Sequence, residues 1–309
     1  SQVVEVADNM AIDFDAHVDK STKVVEAVTN SSLTNFWMYC AKGETSDDLF
    51  TEDTGDHYFN AVEIQKNGNT YSYGHKVWIG YKTFRFATYS NGNEKLTSGV
   101  TFNPGPDATA WGLTFDDYTV SDKDLIAAVP SEVTTGNDLS SMSTVNITFD
   151  HLLSRVRFTF YVDGLTDGSY LKISEFKFNG IKTDDCTISR TSGASDHSIS
   201  WSGLGATGDY VFSAVDKATE TKAYECYVIP QNNQSIVVNQ LTVQTYDSSD
   251  NLLDTKVYQN IDMKITETGH TSWKPGIIYS YMATLSGESN QIHFSASVNG
   301  WSDPDAADK

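Results

Sequence analysis

Catalysis needs particular side chains at particular separations, so acids, histidines, serines and cysteines come first. The sequence holds 41 Asp plus Glu, seven His and three Cys. Asp116-Asp117, Asp184-Asp185 and the alternating pair Asp13/Asp15 have the residue types of a glycosidase acid and base. That chemistry depends on a carboxylate separation of ~5–10 Å in space, which a linear sequence does not set. In so acidic a chain these pairs are expected in turns and at solvent-facing strand positions. Ser195-Asp196-His197-Ser198 has the residue types of a nucleophilic triad. Neighbours in one Gly/Ser-rich loop cannot adopt triad geometry, so it reads as a solvated loop. The histidines (His17, His57, His75, His151, His197, His270 and His293) show no metal-ligand spacing. Asp247-Ser248-Ser249-Asp250-Asn251 starts like a calcium loop but lacks the sixth-position Gly and the twelfth-position Glu. HExxH, GxSxG, the P-loop and a strand-linked GxGxxG are missing. Cys40, Cys186 and Cys226 contain no CxxC and read as small buried residues, with a Cys186–Cys226 bridge left open. No catalytic, cofactor-binding or metal residue is assigned, and the chain is expected not to be an enzyme.

The elements that would position any site are strands. Met10, Ile12 and Phe14 alternate with Ala11, Asp13 and Asp15, the pattern of a half-buried strand. Leu33 to Ala41, Phe84 to Tyr89, Asp124 to Val129, Val156 to Val162, Tyr224 to Ile229 and Ser235 to Tyr246 are further strands. Tyr279, Tyr281, Ala283 and Leu285 share one face of another, and Ile292, Phe294, Ala296 and Val298 one face of the last. Asn67-Gly68, Asn91-Gly92, Asn179-Gly180 and Asn299-Gly300 predict tight hairpin turns, because Gly takes positive φ freely and Asn tolerates it. No stretch repeats apolar residues at helical spacing. Many short strands between turns predict an all-β protein of sandwiches or barrels.

Composition narrows the partners. Against the 41 acids stand 21 Lys plus Arg, a formal net charge of −20. Such a surface repels phosphate backbones and anionic lipid, which argues against nucleic acid. No segment approaches the ~20 apolar residues of a spanning helix. The 309 residues suit two domains of roughly 150 each. The polar, Ser/Thr-rich stretch Pro130 to Thr144 predicts a division into residues 1–143 and 144–309. Tyr71/Tyr73, Trp78/Tyr81 and Tyr279/Tyr281 could stack on sugars if exposed, but aromatics at period two read first as sandwich core.

Several segments together resemble the fimbrillin family of Bacteroidales. VNITFDHLLSRVRFTF (Val145 to Phe160) is similar to its mid-chain signature, through Phe149, His151, Leu152, Leu153 and Arg155. KDLIAAV (Lys123 to Val129) and KVWIGYKTFRFATYS (Lys76 to Ser90) are similar to two earlier motifs. WKPGIIYSYMATL (Trp273 to Leu285) and IHFSASVNGW (Ile292 to Trp301) are similar to its closing ones. AIDF (Ala11 to Phe14), STK (Ser21 to Lys23) and SLTNFWMYCA (Ser32 to Ala41) occur in the family's order, so the set covers residues 11–301.

The resemblance implies two tandem transthyretin-like β-sandwich domains. It implies an outer membrane lipoprotein whose acylated Cys would lie just before Ser1, on the cell surface or in a fimbrium. The implied function is a structural subunit or accessory protein of adhesive fimbriae. The implied partners are other fimbrial subunits and a host or bacterial surface receptor, glycans included; no cofactor is implied. In family members that polymerise, an Arg- or Lys-specific protease removes the first strand, here Met10, Ile12 and Phe14, and the vacated groove accepts a neighbour's strand. Lys23 fits the processing position best and Lys20 second, where the family often has Arg. Ile292, Phe294, Ala296 and Val298 either complete the second domain or form the donor strand. His151 is expected to pack beside Arg155 at the domain boundary. The alternative is a carbohydrate-binding surface lipoprotein that does not polymerise.

Overall fold

The computed structural model describes residues 11–18, 28–29, 31–44, 57–105, 110–212, 215–218, 222–286 and 292–301. Among them every regular element is a strand. In chain order the first are β1 (Phe14–Val18), β2 (Asn35–Glu44), β3 (Phe59–Asn67), β4 (Thr70–Ser72), β5 (Lys82–Asn91), β6 (Val100–Asn103) and β7 (Ala110–Thr119). Next come β8 (Leu125–Ala128), β9 (Val133–Thr134), β10 (Val145–His151), β11 (Ser154–Asp163), β12 (Tyr170–Thr191), β13 (Ser198–Trp201) and β14 (Ala206–Phe212). The last are β15 (Val215–Ala218), β16 (Lys222–Val228), β17 (Val237–Tyr246), β18 (Leu252–Tyr258), β19 (Ile261–Asp262), β20 (Ile277–Ser286) and β21 (Ser295–Gly300).

They form three sheets. The first runs β1-β10-β8-β5-β2-β3-β4, with β9 beside β5. The second runs β16-β11-β20-β21, and the third β18-β17-β12-β7-β6, with β13, β14 and β15 along β12 and β19 beside β17. The all-β expectation holds.

The central strands β2 and β5 of the first sheet are buried on both faces, which is why β2 reads as a continuous apolar run; β5, read from its alternation as half-buried, is buried on both faces as well. On β2, Phe36, Met38 and Cys40 enter one core while Trp37, Tyr39 and Ala41 enter the other. On β5, Phe84 and Phe86 divide from Ala87 and Tyr89 in the same way. The first core lies inside the curl of the sheet, because tyrosines at the β4 end hydrogen-bond β1 at the opposite end of the strand order. The second core continues between the second and third sheets, where Phe158 meets Phe176 edge-on at 4.8 Å and Phe160 meets it at 5.4 Å.

Three local expectations differ from the structure. Asn299-Gly300, expected to turn, instead ends β21 and pairs with Ile278 and Ile277 of β20. Asn179-Gly180 is not a turn; it lies inside the 22-residue β12. There Gly180 pairs with Gly208 of β14, and a Cβ on it would sit 3.1 Å from Gln231 Oε1. The β14 ladder through Asn179 and Gly180, with β12 paired to β17 before them and to β7 after them, outweighs the local turn preference. The stretch Pro130 to Thr144 also contains a strand, since β9 pairs with β5. Across the expected 143/144 division, β10 pairs back to β8 and β1, while β7 from the first half pairs with β12. Asn67-Gly68 does form the β3–β4 hairpin, with Gly68 at φ 62°.

Candidate assembly site: the first strand, its groove and the last strand

β1 is the end strand of its sheet. It is held by one parallel ladder to β10, from Phe14 opposite Val145 to Val18 opposite Phe149. Parallel pairing is slightly weaker per residue than antiparallel. The alternation predicted from Ile12 and Phe14 continues through Ala16 and Val18, all buried, while Asp13 and His17 face solvent. Phe14 is 3% exposed, and its ring lies 5.5 Å from Tyr73, 5.9 Å from Phe59 and 6.1 Å from Phe86. Met10 lies outside the described residues, as do Lys20 and Lys23.

Beyond that ladder, β1 is tied at isolated points. The Ile12 N–H donates to Lys76 O at 2.9 Å, and Ala11 bridges Val77. The Ala16 N–H donates to the Tyr71 hydroxyl at 2.8 Å, and the Tyr73 hydroxyl donates to Ile12 O. Burial pushes both tyrosine pKa values up, partly offset by a backbone hydrogen bond at Ala16 for Tyr71 and at Lys76 for Tyr73, so both hydroxyls stay protonated. Sequence reasoning weighed Tyr71 and Tyr73 as sugar-stacking or core residues and missed that they clasp the first strand. Phe59 and Phe86 meet Phe14 in the core, which Phe36 and, from the neighbouring β10, Ile147 and Phe149 share, each with no exposed surface. Lifting β1 off would bare that apolar core together with the unpaired edge of β10.

β21 is also an end strand, paired antiparallel to β20 from Ile277 opposite Gly300 to Met282 opposite Ser295. Of the candidate donor residues, Ile292 is buried and Phe294 half-buried, both ahead of the strand. Within it Val298 is half-buried and Ala296 exposed. Trp301, one residue beyond, is 2% exposed and stacks on His151.

The residues examined for catalysis are engaged in holding turns. The buried Asp184 accepts the Gly205 N–H, and Asp185 accepts the Asp117 N–H at 2.8 Å. Asp13 immediately precedes β1 and Asp15 lies on it, 3.2 Å from His17. Asp247 Oδ1 accepts the N–H groups of Ser249 and Asn251, which closes its own turn. Cys40, Cys186 and Cys226 are free thiols. Among the described residues, one group has metal-ligand types within reach: Asp150, Asp196 and His197, with ligand atoms within 4.8 Å of one another. His197 Nε2 lies 2.5 Å from Asp150 Oδ2, and its Nδ1 is buried without a partner. A metal on Nε2 would force the proton onto Nδ1, a buried donor with no acceptor. The group therefore fits a His–Asp hydrogen bond that pins the loop before β13 to β10. The aromatic rows are also interior: Trp78, Tyr279 and Tyr281 are buried, and Tyr81 stands alone at 59% exposure.

The comparisons with known proteins agree with this architecture. A solved fimbrial protein from Bacteroides vulgatus ATCC 8482 superposes with a TM-score of 0.58 at 15% identity, over 94% of this chain and 99% of that one. A candidate cell adhesion protein from Bacteroides uniformis ATCC 8492 gives 0.45 at 15% identity, over 94% and 98%. The fimbrial anchor protein Mfa2 of Porphyromonas gingivalis gives 0.36 at 8% identity, over 93% and 97%. The first of these carries the fold comparison. No curated protein matches the sequence. The model of the fimbrillin-like family matches residues 22–301, most of the chain, and the chain belongs to that family.

Proposed function

We propose that the protein is a structural subunit or accessory of cell-surface adhesive fimbriae that assembles by β-strand exchange. The observation that carries this reading is β1. It is an alternating apolar strand at a sheet end, on a single parallel ladder, whose buried face shares a core with Phe36, Phe59, Phe86, Ile147 and Phe149. Proteolysis at Lys23, or at Lys20, would release it. The bared groove would then take the last strand of a neighbour, through Ile292, Phe294, Ala296 and Val298. A donated strand restores both the apolar cover and the β10 ladder, as β-strand addition requires.

Family membership supports placement at the cell surface, and an outer membrane lipid anchor preceding Ser1 is part of the proposal. So is a division into two tandem transthyretin-like sandwiches. A non-enzymatic role is supported by family membership; of two cavities among the described residues, one of about 400 Å³ beside β7 holds Asp116 and Asp117, and the roomier one, about 500 Å³, lies between β14 and β16. Its acids are Asp122 and Glu225, and Glu225 is committed to Arg155 and Arg157. The burial of Trp78, Tyr279 and Tyr281, and the engagement of the half-buried Tyr71 and Tyr73 with the first strand, favour assembly over sugar binding.

The test is limited digestion of the chain with a Lys-specific protease, followed by mass spectrometry and sizing. Release of residues 1–20 or 1–23 followed by growth of oligomers is expected. Resistance at both lysines with a persistent monomer would refute the polymerising reading.

A further inference from the structure

The chain after the first strand and the last strand converge on one buried pair of side chains. Asp124, immediately before β8, has no exposed surface. Its Oδ2 accepts the backbone N–H of Val28 at 2.9 Å and lies 2.9 Å from His151 Nδ1. Its Oδ1 lies 3.1 Å from the same nitrogen. His151 closes β10, and its ring lies flat on the Trp301 indole, with centroids 3.9 Å apart and planes within 9°. The indole also meets the Arg155 guanidinium at 5.0 Å and Tyr227 at 5.7 Å.

The Trp301 backbone N–H donates to Gly276 O at 2.9 Å, whereas its indole N–H is buried without an acceptor. A buried unpaired donor is unfavourable, so ring contacts hold the side chain in place. The six residues of β21 are all exposed or half-exposed, which leaves Trp301 as the buried anchor at the end of that strand.

We propose that Asp124, His151 and Trp301 form a latch coupling the segment at Val28 to the docking of β21. The Val28 N–H fixes the Asp124 carboxylate, and the carboxylate fixes the imidazole plane. The fixed ring is the platform on which Trp301 rests. Loss of the Val28 contact frees the carboxylate to turn, loosens the ring and weakens the hold on β21. The purpose of the latch rests on the strand-exchange reading: cleavage at Lys23 leaves Val28 in the chain but frees the segment before it, so an intact subunit keeps its last strand docked and a cleaved one loosens it once the Val28 contact is given up. The coupling itself belongs to the monomer, and by linkage it runs in both directions.

Hydrogen exchange on the full chain tests it without any assembly step. Val28→Pro removes the N–H, while Val28→Ala keeps it and loses the same side chain. The β21 amides should exchange on the order of tenfold faster in Val28→Pro than in Val28→Ala, the scale set by one hydrogen bond to a charged group. Equal rates would overturn the latch. In the reverse direction, Trp301→Leu should speed exchange at the Val28 amide, and an unchanged Val28 rate would equally overturn it. This second variant decides the matter if Val28→Pro does not fold. A coupled chain that never assembles would retire strand exchange and leave the latch standing; a chain that assembles without coupling would do the reverse.

Discussion

Phe14→Ala tests how the first strand is held. Burying Ile12, Phe14 and Val18 contributes about 1.5–3 kcal/mol each, so about 5–9 kcal/mol in all. Ordering the five ladder residues of β1 costs about 1–2 kcal/mol apiece, or about 5–10 kcal/mol. The two sums nearly cancel, which leaves the ladder and the tyrosine hydroxyls to supply the margin. Truncating a buried Phe costs about 3–5 kcal/mol, more than that margin holds. The strand should therefore undock locally while the rest of the fold persists. Hydrogen exchange read by mass spectrometry would show β1, and the β10 amides facing it, exchanging about a hundredfold faster, since each 1.4 kcal/mol is about tenfold. Asp13→Ala, outward-facing just before the same strand, should change little. Wild-type protection of β1 in Phe14→Ala would refute the claim that side-chain burial holds the strand.

Further outcomes follow from the same structure. Tyr73→Phe removes the hydroxyl that bonds Ile12 O and should weaken β1 by about 0.5–1.5 kcal/mol, seen as faster exchange in residues 12–18 with little change in melting temperature. Gly112→Ala should destabilise the chain by more than about 3 kcal/mol in chemical denaturation, because a Cβ there would lie 1.9 Å from Ile188 O where β7 meets β12. Burial pushes Tyr39 and Tyr224 up from 10.0 to about 12. The unfolded chain releases these protons first, so stability should be intact below pH 10 and fall as pH rises from 10 towards 12, followed by tyrosinate absorbance alongside circular dichroism.

The sequence made some of this visible and hid the rest for identifiable reasons. The half-buried first strand was legible, because one face of β1 meets the core and the other meets water, which prints as strict alternation. β2 and β5 were legible as strands but not as central ones: β2 prints as an apolar run, while the alternation of Phe84, Phe86 and Thr88 with Arg85, Ala87 and Tyr89 on β5 suggests one buried face where the structure buries both. The clasp by Tyr71 and Tyr73 was hidden: its contacts span 55 and 61 residues, and nothing local marks a tyrosine as a partner for a distant backbone. The same holds for Trp301 on His151 and for His197 with Asp150, each pair joined only by the long-range order of the sheets. Asn179-Gly180 misled because a turn preference of a few tenths of a kcal/mol to about 1 kcal/mol yields to the β14 ladder through the pair and the β17 and β7 ladders flanking it. Pro130 to Thr144 read as a linker from its polar composition, yet β9 needs only Val133 and Thr134 to join the first sheet.

The central claim is that a groove vacated by β1 accepts the last strand of another copy. A fluorescent peptide of residues 288–301, titrated against the intact chain and against the chain beginning at residue 24, measures this directly by polarisation. Saturable binding to the shortened chain alone, with the peptide capping oligomer growth, is the predicted result. Equal binding to both chains, or to neither, would contradict strand exchange at this groove.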